Sequence, residues 1–307
     1  MQVKKIIASI FLFLFSFVFF VYVSFPYTIL KEALITEVGR ATGLKISVKG
    51  FGPSLPLGFV AENIQVDLPT GDKGIDLKAV EIDVKLLHLF LGELAAELQL
   101  ESRNDGVLEL KTSAGILDLI QGQILPNGLE LESDRFAVGH FFRFGMGVAG
   151  DSLKSQPMVA DLVSKFNVQG YLSGKMFIRL NSANVSRSEG SVNLQLKKAT
   201  LLIDQSLGMA DQQFEKALVK ASFKSGKLTV DKRSGFHTQE LKIDLNGSVG
   251  IKKKLHASSL NLSLNVKLEK GLKEQYGYVI DNMLGGNGGL LKYQIKGTVS
   301  KPNFVTL

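Results

Sequence analysis

From Leu260 to Glu269 the chain reads Leu-Asn-Leu-Ser-Leu-Asn-Val-Lys-Leu-Glu, with every second residue aliphatic and every other one polar. Successive side chains on a strand point to opposite faces, so a period of two gives one dry and one wet face. On a helix the same residues would scatter apolar groups around the whole barrel. Similar alternation marks Ile64/Val66/Leu68, Val192/Leu194/Leu196, Leu241/Ile243/Leu245 and Leu291/Tyr293/Ile295. Val80, Ile82, Val84 and Leu86 alternate too, with Leu77 and Ala79 out of phase, which predicts a bulge between Ala79 and Val80. Turn signals at Asn104-Asp105-Gly106, Glu189-Gly190, Ser225-Gly226 and Asn246-Gly247 predict hairpins. The chain is therefore expected to be mainly β, with a largely antiparallel sheet and few short helices.

One of those helices is expected over Tyr27 to Thr42, where Ile29, Leu30, Ala33, Leu34 and Val38 recur at helical spacing and Gly43 stands as C-cap. Phe214 to Phe223 fits a helix on Phe214, Ala217, Leu218 and Ala221, and a strand on Ala217, Val219, Ala221 and Phe223. The Gly226 turn and the strand pattern from Lys227 to Val230 favour the strand. Ser152 to Lys165 contains Pro157 and little alternation, and reads as loop plus a short helix. No tandem repeat of fixed period is visible.

Leaving about ten strand aliphatics in water would cost roughly 15–30 kcal/mol at ~1.5–3 kcal/mol each. Domains are stable by only about 5–15 kcal/mol, so something must cover the dry face. A second sheet, the same sheet curled on itself, a partner protein or lipid would each suffice, and the pattern fits all four.

Ahead of the strands, Ile6 to Phe25 is an uncharged run of twenty apolar or small residues, preceded by Lys4 and Lys5. Such a helix spans about 30 Å, the hydrocarbon thickness of a bilayer. The lysines keep the N-terminus cytoplasmic, so everything after Pro26 is expected to be translocated. A cleaved secretory signal has a shorter apolar core and a small-x-small site, which Tyr22-Val23-Ser24 matches poorly. The expected organisation is a stub, single-pass anchor and juxtamembrane helix over 1–43, then an exported β-rich domain over 44–307.

Composition agrees with a folded domain: 45% hydrophobic and 21% charged residues. The absence of cysteine excludes disulfides, thiolate metal sites and cysteine nucleophiles. A formal charge of +7 is spread along the chain, with Lys252-Lys253-Lys254 the one dense cluster. That cluster reads as a solvated turn, or as a contact for anionic headgroups. Nucleic acid is not an expected partner of an exported domain.

The order of short motifs resembles a family. The helix ends in Ala41-Thr42-Gly43-Leu44-Lys45-Ile46-Ser47-Val48, followed by Pro53-Ser54-Leu55-Pro56-Leu57-Gly58-Phe59, then Asn63-Ile64-Gln65-Val66, and the chain closes on Ile295-Lys296-Gly297-Thr298-Val299-Ser300-Lys301-Pro302. This is similar to type II secretion system protein N of the delta-proteobacterial and Leptospira form, and more loosely to AsmA-like proteins. The resemblance runs over nearly the whole chain through short, degenerate motifs. It implies a Gram-negative inner-membrane protein with a periplasmic β domain, an accessory part of type II secretion. The AsmA-like likeness implies a curled, apolar-lined groove or sandwich that handles phospholipid. A dozen strands would stack to only about 60 Å, a stub too short to bridge an envelope alone.

No motif argues for catalysis, a metal or a cofactor. Phe144-Gly145-Met146-Gly147-Val148-Ala149-Gly150 contains G-x-G-x-x-G, but Pro157 shortens any following helix and no acidic residue stands where a dinucleotide site needs one. Gly285-Gly286-Asn287-Gly288-Gly289 lacks the Lys-Ser/Thr of a phosphate loop and reads as a wide turn into the last strand. His88, His140, His237 and His256 are isolated from one another, with His88 expected to be partly buried. Glu81 and Asp83 fall on wet faces. The candidate surface is thus the dry face: Leu260, Leu262, Leu264, Val266 and Leu268, with Leu241, Ile243, Leu245, Val192, Leu194 and Leu196. Membrane lipid and other secretion components are the expected partners, with oligomeric state open. An ordinary sandwich core would use the same residues.

Overall fold

The computed structural model describes residues 12–13, 16, 19–20, 22, 24–42, 44–55, 57–67, 73–116, 120, 127–139, 141, 165–181, 185–252, 257–283 and 286–306. Most of the expected anchor, the Gly145 to Gly150 motif, His140, His256, Lys253, Lys254, Gly43 and most of Ser152 to Lys165 lie outside these. Within the apolar run, Leu12, Phe13, Ser16, Phe19, Phe20, Tyr22 and Ser24 have helical backbone. Among the described residues no helix is long and apolar enough to cross a membrane.

Helix α1 occupies Tyr27–Thr42, the span expected from its apolar spacing. Then comes one antiparallel sheet, with sixteen strands among the described residues. Its first half is β1 (Lys45–Ser54), β2 (Gly58–Asp67), β3 (Lys73–Val84), β4 (Glu93–Ser102), β5 (Val107–Gly115), β6 (Gly128–Ala137), β7 (Phe166–Arg179) and β8 (Glu189–Ile203). Its second half is β9 (Gln212–Gln213), β10 (Lys216–Lys224), β11 (Lys227–Val230), β12 (Gly235–His237), β13 (Leu241–Gly250), β14 (Ser259–Leu268), β15 (Leu290–Thr298) and β16 (Lys301–Thr306). Neighbours in sequence are neighbours in space, except that the short β9 and β12 attach beside β8 and between β10 and β13. Among the described residues, helices α2 (Leu86–Phe90) and α3 (Lys270–Met283) interrupt the meander.

Most of the ambiguous Phe214 to Phe223 segment lies in β10, so alternation prevails over its helical reading. Turns at Asn104-Asp105-Gly106 and Ser225-Gly226 join β4 to β5 and β10 to β11. Ser225 and Gly226 both have positive φ, 53° and 75°, which suits a two-residue hairpin turn.

Five local expectations need correction. Glu189-Gly190 opens β8 and Asn246-Gly247 lies inside β13. Neither glycine makes a turn there: each lets the adjacent strand come close. A Cβ on Gly247 would stand 2.3 Å from the Asn261 carbonyl oxygen, and one on Gly190 would stand 2.4 Å from that of Phe177. The glycine-rich segment before Leu290 leads into β15, and the last strand is β16. The register shift in β3 falls between Leu77 and Ala79, one residue earlier than expected, making Lys78 the extra residue. Leu86 begins α2 and does not extend the alternation of β3.

Three apolar clusters line the edge of the sheet at which β1 begins. Ile64, Ile75, Leu77 and Phe136 form one, flanked by Ile46, Val48, Leu100 and Leu108. On a flat sheet β3 and β6 would lie about 14 Å apart, yet Phe136 of β6 packs into this cluster. Val168, Leu201 and Ile203 form the second cluster. In the third, Leu272 of α3 covers Leu268 and Leu291. Away from this edge, the fully buried apolar side chains of the same face are Ala221, Phe223 and Val230 on the β10–β11 hairpin.

Candidate functional site

Residues directly opposite in an antiparallel register share a face. One row can therefore be followed across the sheet: Pro53, Phe59, Ile82, Leu98, Leu110, Leu131, Met176, Val192, Ala221, Val230, Gly247, Leu262 and Ile295. Each is paired to the next, and the thirteen positions contain no polar side chain. At about 4.8 Å per strand this row measures roughly 58 Å along its contour. The parallel row from Ala96 through Thr112, Leu129, Ile178, Gly190, Phe223, Leu228 and Val249 to Leu260 has Thr112 as its one polar member.

All eleven residues singled out from the sequence belong to this inner face. Leu241, Ile243 and Leu245 oppose Leu268, Val266 and Leu264, while Gly247 and Val249 oppose Leu262 and Leu260. Val192 and Leu194 oppose Ala221 and Val219 on one side, and Met176 and Gly174 on the other. Leu196 opposes Leu172. Their burial differs along the strands. Leu268 is 8% exposed, whereas Leu260, Leu262, Leu264, Val266, Leu241, Ile243, Leu245 and Leu196 are half-buried, as are Val192 and Leu194. Half-burial leaves part of each of these neighbouring aliphatics open to water.

The β1 to β7 share of the row was not singled out from the sequence, although its signal is there. Leu98/Leu100, Leu108/Leu110 and Leu129/Leu131 each repeat at a spacing of two around a Gln or Glu.

The opposite face is polar. Glu81, Gln99, Glu109, Glu132, Lys175, Asn193 and Lys220 form one of its rows. Lys111 meets Glu109 at 2.6 Å and Lys175 meets Glu132 at 2.7 Å. Exposed pairs of this kind contribute about 0–1 kcal/mol each, so they keep the outer face wet more than they hold the sheet together. Glu81 and Asp83 sit on this face as expected, but neither is simply solvated: Ser54 donates to Glu81, and Asp83 Oδ1 is buried without a partner. His88 is half-buried in α2. His237 stands 2.7 Å from Asp244 through Nε2, an isolated contact on the outer face. Among the described residues no group of three or more His, Asp or Glu is placed to hold a metal ion.

Comparison with protein-family models finds no match, and neither does comparison with curated proteins.

Proposed function

We propose that the inner face binds acyl chains, making this chain a non-enzymatic, membrane-anchored lipid-binding protein of the cell envelope, of the AsmA-like kind. The observation that carries this reading is the unbroken apolar row from Pro53 to Ile295, most of it half-buried. A methylene chain needs continuous aliphatic contact and no hydrogen bonds, and the row offers that contact. Charges on the outer face keep the opposite surface in water, so lipid has one side to occupy. The apolar run at Ile6 to Phe25 supports a tether to the inner membrane, with the strands in the periplasm. The reach of one apolar cluster from β2 and β3 to Phe136 on β6 supports a curled groove in preference to a closed sandwich.

Native mass spectrometry of the purified full chain tests this reading. Co-isolated phospholipid that survives delipidating washes, and is displaced by added fatty acid, is the expected result. A lipid-free protein that takes up no acyl probe would remove it.

A second reading follows from the motif order: an accessory inner-membrane component of type II secretion that acts by protein contacts. Loss of secreted enzymes from the medium on deletion of the gene is its expected signature. Unchanged secretion through an intact apparatus would eliminate it.

A further inference from the structure

The apolar clusters line one end of the strands, and the opposite end has a different composition. There the β1–β2, β3–β4 and β5–β6 connections contain Leu55-Pro56-Leu57, Leu86-Leu87-His88-Leu89-Phe90-Leu91 and Ile116-Leu117-Asp118-Leu119-Ile120. At the clustered end, β2–β3 and β4–β5 are joined through Leu68-Pro69-Thr70-Gly71-Asp72 and Arg103-Asn104-Asp105-Gly106, residue types that turns in water favour. Leu55, Leu87, Leu91 and Ile120 are 72%, 78%, 77% and 76% exposed, so they belong to no core. Beyond α1, the exposed large apolar side chains among the described residues all stand at this end, Tyr278 and Val305 excepted.

Backbone hydrogen bonds join these connections to one another. The Val84 N–H donates to the Leu57 carbonyl at 2.8 Å, Ile116 to Gly92 at 3.0 Å and Leu180 to Asn127 at 2.8 Å. In the second half, Ile251 donates to Gly226 at 2.8 Å and Val299 to Ser258 at 3.0 Å. The tips therefore follow one rim, with successive connections two strands, or about 10 Å, apart. Scattered exposed leucines are ordinary, but a run of them along one rim marks a surface that meets an apolar phase.

Cations follow the leucines along the rim. Arg187, Lys224, Lys227, Lys252 and Lys301 are exposed, and none has an ion-pair partner among the described residues. Lys224 and Lys227 stand directly opposite each other where β10 turns into β11. Like charges so placed repel, and an anion between them relieves the repulsion. Glu189 lies opposite Lys224 on the other side, but its carboxylate meets Arg179 at 3.3 Å. Lys253 and Lys254 continue the charge of the β13–β14 connection in the sequence.

We propose that this rim docks on an anionic phospholipid bilayer, with Leu55, Leu87, Leu91 and Ile120 entering the acyl boundary and the five cations meeting headgroup phosphates. Interfacial segments bind by this combination of buried apolar area and attraction to anionic lipid. A protein partner could cover the leucines, but unpaired cations beside them favour a surface that is apolar within and negative outside. The inference goes beyond the acyl-binding reading and does not depend on it.

The chain has no cysteine, so Leu55→Cys, Leu87→Cys and, at the opposite end, Asn104→Cys can each carry a single environment-sensitive fluorophore. The labelled full chain is reconstituted in vesicles of phosphatidylcholine, alone or mixed with phosphatidylglycerol. Nitroxide-bearing lipid is placed either in those vesicles or in a second, added population. Probes at 55 and 87 are expected to shift to the blue and be quenched in the mixed vesicles, with the probe at 104 unchanged. Each cation near an anionic surface is worth roughly fivefold, so Lys224→Gln with Lys227→Gln should lower the docked-to-undocked ratio roughly twentyfold. Both positions are exposed and the change removes a repulsion, so the melting temperature should stay level or rise. Quenching from either vesicle population supports the docking and identifies which bilayer is met. Probes that stay in water, equal quenching at 104, or a ratio indifferent to both phosphatidylglycerol and the double substitution would overturn it. A blue shift that appears in detergent and grows with protein concentration would also overturn it, replacing the bilayer with a second copy of the chain.

Discussion

Leu262 and Leu268 stand on β14 and point to the same face, yet Leu268 is sealed by Leu272 and Leu291 while Leu262 is half-buried. Truncation to alanine separates what holds the fold from what meets a ligand. Leu268→Ala deletes a fully buried side chain from a packed cluster, for which the cost is about 2–5 kcal/mol. For a domain of this size each kcal/mol lowers the melting temperature by roughly 2–4 °C, so a fall of about 5–15 °C is expected. At Leu262 water already reaches part of the side chain, and the lost transfer energy shrinks to about 1 kcal/mol, or roughly 2–4 °C. Acyl binding should rank the other way, with Leu262→Glu abolishing lipid uptake and Leu268→Ala retaining most of it. Scanning fluorimetry with and without a fluorescent fatty acid reads both quantities. Equal destabilisation at the two positions would mean that the face is closed, and unchanged lipid uptake in Leu262→Glu would mean that lipid does not lie on it.

Three further outcomes are expected. Hydrogen bonds from Lys242 and then Lys267 hold the Glu269 carboxyl down at about 2, below its ordinary 4.5. This stability is present above pH 4.5 and is lost as pH falls toward 2, so Glu269→Gln should flatten the acid limb of a melting-temperature profile between pH 5 and 2. Gly247 has a φ of 121° and the Asn261 carbonyl pressed against its α-carbon side, so Gly247→Ala should lower the urea midpoint by the equivalent of about 2 kcal/mol or more. Phe223, 1% exposed between Gly190 and Leu228, should cost about 3–5 kcal/mol when cut to alanine, again read from urea unfolding.

The alternation in β8, β13, β14 and β15 was legible because a strand wet on one side writes its period directly into the chain. The phase break in β3 was legible for the same reason, since Leu77 and Val80 can share a cluster only if a residue is inserted between them. Gly190 and Gly247 misled because a glycine that admits a neighbouring backbone looks, in one dimension, like a glycine that turns the chain. Helix α3 was missed: Gly271 and Gly277 weaken its propensity.

Because the path of the sheet keeps close to sequence order, each new strand needs only its immediate predecessors as a template. A nascent polypeptide could thus consolidate hairpin by hairpin as it emerges, starting from β1. No early segment would have to wait, unpaired and sticky, for the C-terminus to arrive.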